Sequence, residues 1–176
     1  MSSVGPETIL FADDGETPNN PRLPLVLYRG AVPLAGAADP ASVFEKTFAR
    51  HGWRDGWRNG IFDFLHFHTG AHEVLGIARG RAKVEFGGAQ GKQVELQAGD
   101  VAILPAGTGH RRISSSSDLL VVGAYPKGGN YDHVRPGRIE HDDAVTAIAA
   151  TPLPDQDPVH GSDGSLMQLW KSNPGS

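Results

Sequence analysis

Residues 60–80 read GIFDFLHFHTGAHEVLGIARG and place three histidines and a carboxylate within the eight residues from His66 to Glu73. Apolar residues alternate here with polar ones, as is typical of β-strands, whose successive side chains point to opposite faces. His66 and His68 are two residues apart, so on a strand they share a face. Turn residues at 69–71 then separate this strand from a second one. The stretch therefore predicts two neighbouring strands that carry metal-binding side chains.

The second strand offers two candidates for a third ligand. If Leu75 and Ile77 face the core, Glu73 faces inward beside the two histidines and His72 faces away. A bulge in the turn would exchange the two faces. Glu73 is therefore the favoured ligand, and His72 stays open as the alternative.

Residues 99–110, GDVAILPAGTGH, supply a fourth candidate. They read as strand, turn and strand, because the glycines suit sharp reversals of the backbone. His110 opens the second of these strands. The chain contains no cysteine, which leaves only nitrogen and oxygen ligands. Three imidazoles and one carboxylate suit a divalent first-row ion (Fe, Mn, Ni, Cu or Zn), with one or two positions left for water or substrate.

Short apolar runs punctuated by turn signals continue from residue 60 to residue 125, with no helical pattern between them. Such spacing predicts an all-β fold, in which antiparallel strands close as a small barrel or sandwich. Two short helices flank it. Residues 39–51 predict one helix, with Asp39 as its cap and Val43, Phe44 and Phe48 on its buried face. Residues 141–150 predict the other.

A chain of 176 residues suits one domain. Within it we distinguish an irregular, extended N-terminal segment (1–38) that packs on the barrel, a helix with the barrel core (39–125), and a C-terminal extension (126–176). The tail after residue 151 has a loop-like composition, with Leu166, Leu169 and Trp170 expected to dock on the body.

Composition excludes several classes of function. The net charge is −4 and no basic stripe stands out, so no nucleic-acid partner is expected. No segment approaches the roughly 18 apolar residues of a membrane span. The N-terminus lacks the basic start and apolar run of a signal peptide, and the absence of cysteine fits a reducing compartment. A cytoplasmic protein without a membrane partner is therefore expected.

The two histidine segments together resemble the cupin superfamily. Gly60, His66, His68, Glu73 and Gly80 have the spacing of the first cupin motif. Gly99, Pro105, Gly107 and His110 have that of the second, with 18 residues between the motifs. Ser114 stands where the second motif ordinarily ends in asparagine, a structural position. Flanking sequence segments such as WRNGIFDFLHFH, VVGAYPKG and PLPDQDPVHG resemble those of the uncharacterised, single-domain bacterial YjlB-like branch.

This resemblance implies a jelly-roll barrel that binds one divalent metal ion through His66, His68, Glu73 and His110. It favours a metal-dependent enzyme acting on a small organic molecule. A dioxygenase is slightly preferred over an isomerase or decarboxylase, because adjacent open positions on the ion would serve it directly. The alternative is a non-catalytic cupin that binds metal or a small ligand, and a third possibility is a structural cupin with an empty site. Cupins often pair through an edge strand, so a homodimer is expected.

Metal ligands do not transfer protons, so an enzyme of this kind needs a separate acid or base. Tyr125, Tyr131 and Asp132 are candidates because they follow the last clear strand. Arg111 and Arg112 alternate faces after His110, and the inward one is a candidate to pair with an anionic substrate. The remaining histidines have no partner spacing and are expected on the surface or in loops: His51, His133, His141 and His160.

Overall fold

The computed structural model describes residues 5–127 and 131–171. Within these residues the chain forms nine strands and three helices. In chain order they are β1 (Glu7–Ile9), β2 (Leu25–Tyr28), α1 (Pro40–Arg50), β3 (Trp53–Asn59), β4 (Glu73–Arg79), β5 (Arg81–Phe86), β6 (Lys92–Gln97), β7 (Val101–Leu104), β8 (His110–Ser115), β9 (Leu120–Pro126), α2 (His141–Ala150) and α3 (Ser165–Lys171).

The strands form two antiparallel sheets. One has six strands in the order β1-β2-β7-β4-β9-β3, and the other has three in the order β6-β5-β8. Neighbours in each sheet are mostly distant in sequence, as the crossing connections of a jelly roll require. The prediction of an all-β jelly roll with short flanking helices is confirmed.

The core lies in two layers on either side of the six-stranded sheet. Leu75 and Ile77 of β4 point between the sheets, where they join Val84 and Phe86 of β5. The opposite face of β4 packs against Phe44 of α1 and against α3. Because side chains alternate along β4, Glu73 lies on the same face as Leu75 and Ile77, between the sheets.

The ends of the chain are more regular than the sequence indicates. Residues 1–38 were expected to be irregular, but β1 and β2 add two strands to the larger sheet, within the described residues from 5 onward. The four residues of β2, which follow Pro24 and precede Arg29, are too few for periodicity to identify a strand. The loop-like tail likewise contains α3, which buries Leu166 and Trp170 against the sheet.

Two local expectations were wrong. Residues 61–68 form no continuous strand. His66 and Phe67 make isolated bridges to His110 and Val134 instead. Asp39 occupies the predicted N-cap position of α1, but its side chain makes no capping hydrogen bond and instead pairs with Arg58 at 3.1 Å.

The helices in the described part of the chain are short. None of them is long and apolar enough to cross a bilayer.

Candidate metal centre

Four side chains converge at one end of the space between the sheets. The ligating nitrogens of His66, His68 and His110 lie within 4.8 Å of one another. One carboxylate oxygen of Glu73 is 3.3 Å from Nε2 of His68 and 3.4 Å from Nε2 of His110. All four side chains are at least 96% buried. The structure thus brings together the four residues that the two sequence segments favour as ligands.

The main chain fixes which nitrogen each histidine presents. Nδ1 of His66 donates to the carbonyl of Phe64 at 3.1 Å, and Nδ1 of His110 donates to that of Thr108 at 3.0 Å. Nδ1 of His68 donates to the carbonyl of Asp132. A carbonyl oxygen only accepts, so each Nδ1 carries a hydrogen and each neutral ring leaves Nε2 with a free lone pair. Ligand histidines in metal sites are held in this way.

Burial and mutual charge set the protonation of the cluster. Burial, and next the charge of His110, lowers the pKa of His66 to about 3, so this ring is neutral. Burial opposes charge on Glu73 as well, but neighbouring His68 outweighs it and holds the pKa of Glu73 well below its usual range. Burial also opposes charge on His68, yet the Glu73 carboxylate raises the pKa of that histidine. The centre therefore contains an ionised carboxylate that requires a positive partner.

His72 lies on the other face of β4 and does not join the cluster. The backbone N–H of Ala106 donates to its Nδ1 at 2.9 Å, and its Nε2 donates to the carbonyl of Pro152 at 3.1 Å. Its ring also packs on Trp170, with ring centres 4.8 Å apart. Both nitrogens are used within the fold, in the opposite tautomer to the three converging histidines.

A cavity of about 370 Å³ opens above the cluster. Its wall is mostly apolar and aromatic and is formed by Trp57, Ile61, Phe62 and Leu75. The ring of Phe62 meets His66 edge-on at 5.2 Å and is 47% exposed, so it lies at the mouth. A small, largely apolar cavity with a few convergent polar groups is the usual form of a small-molecule site.

Of the three proton-transfer candidates, Tyr125 lines this cavity. Trp57 donates to its hydroxyl at 3.0 Å. Burial, and next the negative charge of Glu73 with which it is hydrogen-bonded, raises the pKa of Tyr125. Tyr125 therefore reaches the cluster as a neutral hydroxyl beside a ligand candidate.

Tyr131 and Asp132 occupy other positions. Tyr131 stacks on Tyr125 with ring centres 4.3 Å apart, but its hydroxyl donates to Asp55 at 2.7 Å, away from the cavity. The carboxylate of Asp132 accepts hydrogen bonds from the backbone N–H and hydroxyl of Thr69. Asp132 contacts the cluster through its carbonyl and thereby orients His68.

Two further residues, His133 and Arg112, line the cavity. His133, expected in a loop, does lie in one, but its ring stands 4.9 Å from that of His68 and lines the cavity. No spacing signal could have placed it there, because the loop returns from a distant part of the chain. Arg112 also lines the cavity, and its position two residues after His110 was the available signal.

The donor set fits a divalent first-row ion. Ligand atoms about 2.0–2.2 Å from a single ion lie about 3–4 Å from one another, which is close to the separations in this cluster. The imidazoles present lone pairs, and the buried Glu73 supplies one negative charge. Nitrogen and oxygen donors of this kind suit iron, manganese, nickel, copper and zinc.

Comparison with known proteins agrees with the motif spacing. Residues 60–122 match the family described as "Cupin domain". The chain is 39% identical over 164 residues to "Uncharacterized protein YjlB" of Bacillus subtilis (strain 168). The match covers 93% of this chain and 96% of that protein. The chain is thus a cupin. Within that class, the chain belongs to the single-domain bacterial YjlB-like family.

Solved structures resemble the chain more distantly. Acireductone dioxygenase from Bacillus anthracis, with a cadmium ion in its active centre, is 18% identical with a TM-score of 0.44, covering 62% of this chain and 82% of that one. A mutant of Bacillus subtilis oxalate decarboxylase is 22% identical with a TM-score of 0.37, covering 64% of this chain and 27% of that one. The family assignment rests on the domain match and on YjlB.

Proposed function

We propose that this protein is a metal-dependent enzyme that acts on a small organic molecule. In this proposal His66, His68, Glu73 and His110 hold one divalent first-row ion at the base of the cavity. Dioxygenase chemistry is favoured over isomerisation or decarboxylation.

One observation carries the proposal. Three imidazoles, each with Nδ1 engaged by a main-chain carbonyl, direct Nε2 toward the same buried region as an ionised carboxylate. A buried carboxylate needs a positive partner, and protonating His68 to provide one would place a second buried charge among imidazoles whose nitrogens converge. Binding of a divalent ion would resolve this conflict.

The bound ion would supply Lewis acidity together with adjacent open positions for a chelating substrate and dioxygen. The protein contributes the rest. Trp57, Phe62 and Leu75 provide an apolar wall that excludes water around the reacting groups. Tyr125 orients Glu73 and, of the three candidates for proton transfer, is the one that lines the cavity, so the proposal assigns proton transfer to it. Asp132 and Tyr131 act as positioning residues outside the cavity.

Metal analysis is the first test. Protein purified without an affinity tag is expected to contain close to one equivalent of a first-row metal. His110→Ala should lose most of it, because one of the four donors is gone. His141→Ala is the matched control, since His141 is a partly exposed histidine that pairs with Asp13 and is not part of the cluster. Equal metal content in His110→Ala and the parent protein would contradict the proposed ligand set.

Turnover is the second test. The iron(II)-loaded protein, prepared anaerobically, is expected to consume oxygen when mixed with a member of a panel of chelating organic acids. Tight binding without turnover across several metals would instead favour a non-catalytic binding cupin. Absence of any first-row metal, with no thermal stabilisation on adding one, would favour a structural cupin. The cytoplasmic location and the homodimer stay predictions.

A further inference from the structure

Arg112 carries a positive charge into the space between the sheets. It lies two residues after His110 on β8, so the two side chains share a face. Their cross-strand partners on β5 are Val84 and Phe86, both fully buried in the core between the sheets. The face that presents His110 to the metal cluster therefore also presents Arg112 to the cavity, whose wall it lines.

The preceding arginine provides an internal comparison. Arg111 points to the opposite face and pairs with Glu85 through two hydrogen bonds of 2.9 and 3.2 Å. Among residues 5–127 and 131–171, no side-chain hydrogen bond or ion pair engages the guanidinium of Arg112. A partly buried cation without an anionic partner is unfavourable, and a guanidinium is well suited to grip a planar carboxylate through two hydrogen bonds.

The charges around the cavity also favour binding of an anion near Arg112. Glu73 is the one carboxylate in the described wall, and it lies at the base between His68 and His110. A divalent ion held by neutral imidazoles and Glu73 would have a net charge of +1, and Arg112 adds another. The remaining wall is largely apolar, so the field from these charges is weakly screened and favours an anion.

We propose that the substrate is a small carboxylic acid whose carboxylate binds Arg112 while a separate oxygen donor coordinates the ion. This inference rests on the proposed function and names the substrate class of the same site. Residues two apart on a strand are about 7 Å apart, so a short chain of carbons spans the two ends of the ligand. Trp57, Ile61 and Phe62 provide the apolar surface for that chain.

Matched ligand pairs test the proposal directly. Each pair consists of a hydroxamate, which coordinates the metal, joined by two to four methylenes to either a carboxylate or an uncharged primary amide. The two members have nearly the same shape and differ in charge at the far end. Titration calorimetry on the zinc-loaded full-length protein should give a Kd about 10- to 100-fold lower for the best acid than for its amide, as expected for a hydrogen-bonded charge pair.

Three arginine variants provide the control. Arg112→Met should reduce the preference for acid over amide to less than threefold, whereas Arg111→Met should keep it, although both remove one positive charge. Arg112→Lys should restore part of the preference, because an ammonium group keeps the charge but loses the paired geometry. Metal content and melting temperature are measured on every sample, so that a misfolded variant is recognised. If Arg112→Met misfolds, Arg112→Lys decides whether Arg112 sets the preference for acid over amide.

The outcomes separate this inference from the proposed function. Loaded protein that binds amides as tightly as acids, or an equal loss in both methionine variants, would overturn the inference alone. Protein that takes up no metal would overturn the proposed function and this inference with it.

Discussion

At the scale of single residues, the tautomers of the histidines decide which of them can bind metal. His66, His68 and His110 each donate from Nδ1 to a carbonyl, whereas Nδ1 of His72 accepts from Ala106. The carbonyl bonds orient the three rings before any ligand arrives, which reduces the entropy that binding must overcome. His72 instead uses its Nδ1 hydrogen bond with Ala106 to join the start of β4 to the loop after β7.

Tyr125 orients the Glu73 carboxylate through a hydrogen bond, as the carbonyls orient the histidines. We expect Tyr125→Phe to weaken metal binding by about tenfold, because Glu73 loses a hydrogen bond that orients it. Competition with a chelating dye measures the affinity. Tyr131→Phe is the matched control: it removes the hydroxyl of the stacked neighbour, which bonds Asp55 outside the cavity. Unchanged affinity in Tyr125→Phe would show that its hydroxyl does not support Glu73.

At the scale of elements, close packing of α1 on the six-stranded sheet fixes β4 from behind. Gly76 of β4 faces Phe44 so closely that a Cβ atom at position 76 would lie 2.3 Å from the phenylalanine ring. Phe44 is fully buried at this contact. Because Glu73 lies three residues earlier on the same strand, the packing of α1 also holds one side of the candidate metal centre.

Gly76→Ala is expected to destabilise the fold. The added methyl group has to push Phe44 or the strand aside, which typically costs about 1–3 kcal/mol. For a chain of this size that corresponds to a fall in melting temperature of about 3–10 °C, measured by circular dichroism. Gly5→Ala is the control, since nothing lies within 4 Å of a Cβ atom there. Equal melting temperatures for both variants would mean that the contact is looser than the structure has it.

Hydrophobic periodicity and turn spacing predicted helices and strands correctly where the pattern extended over enough residues. The helix at 141–150 has the predicted bounds, and the turn-rich spacing after residue 60 gave the correct fold class. β1 and α3 are too short for periodicity to identify, and tertiary contacts stabilise them. The segment 61–68 looked like a strand, but it bridges to two separate parts of the chain and so cannot form a regular ladder.

The convergence of the histidine segments follows from motif spacing, whereas the cavity wall does not. His133 and Trp57 reach the cavity from a loop and from an edge strand that lie far apart in sequence. Their positions depend on how the two sheets stack, and a single sequence contains no periodic signal for that. Arg112 is a partial exception: strand alternation predicted that one of Arg111 and Arg112 faces inward, and the structure shows that it is Arg112.

At the scale of the whole molecule, each sheet ends in two edge strands within the described residues, and of these β8 is partly paired through the bridge from His66 to His110. β3 and β1 are the edges of the larger sheet, and β6 and β8 are those of the smaller one. Exposed edges promote pairing with another chain, and natural proteins often cover them by association. The predicted homodimer would cover one edge in each subunit.

Light scattering coupled to size exclusion tests this prediction. We expect a mass of twice 18.7 kDa at micromolar concentration. The mass should not fall on dilution within the micromolar range, because a strand-paired interface of standard size is stable there. A mass of 18.7 kDa across that range would refute the homodimer and leave the edges of the monomer uncovered.

The candidate metal centre also joins the two sheets. Glu73 belongs to β4 of the six-stranded sheet, His110 belongs to β8 of the three-stranded sheet, and His66 and His68 come from the segment between β3 and β4. An ion held by all four would link elements that otherwise meet through the apolar core. Unfolding would release the ion, because the unfolded chain does not preserve the arrangement of its ligands.

Metal removal should therefore lower the stability of the whole fold. At a free metal concentration 100 times the dissociation constant, linkage stabilises the folded state by about 2.7 kcal/mol, or about 5–10 °C in melting temperature. Scanning calorimetry with and without a chelator measures the shift, which should grow with the logarithm of the free metal concentration above the dissociation constant. His110→Ala should show less than a third of the shift, and His141→Ala should show all of it. A full metal-dependent shift in His110→Ala would mean that the stabilising ion binds elsewhere, because that variant lacks one of the four proposed ligands.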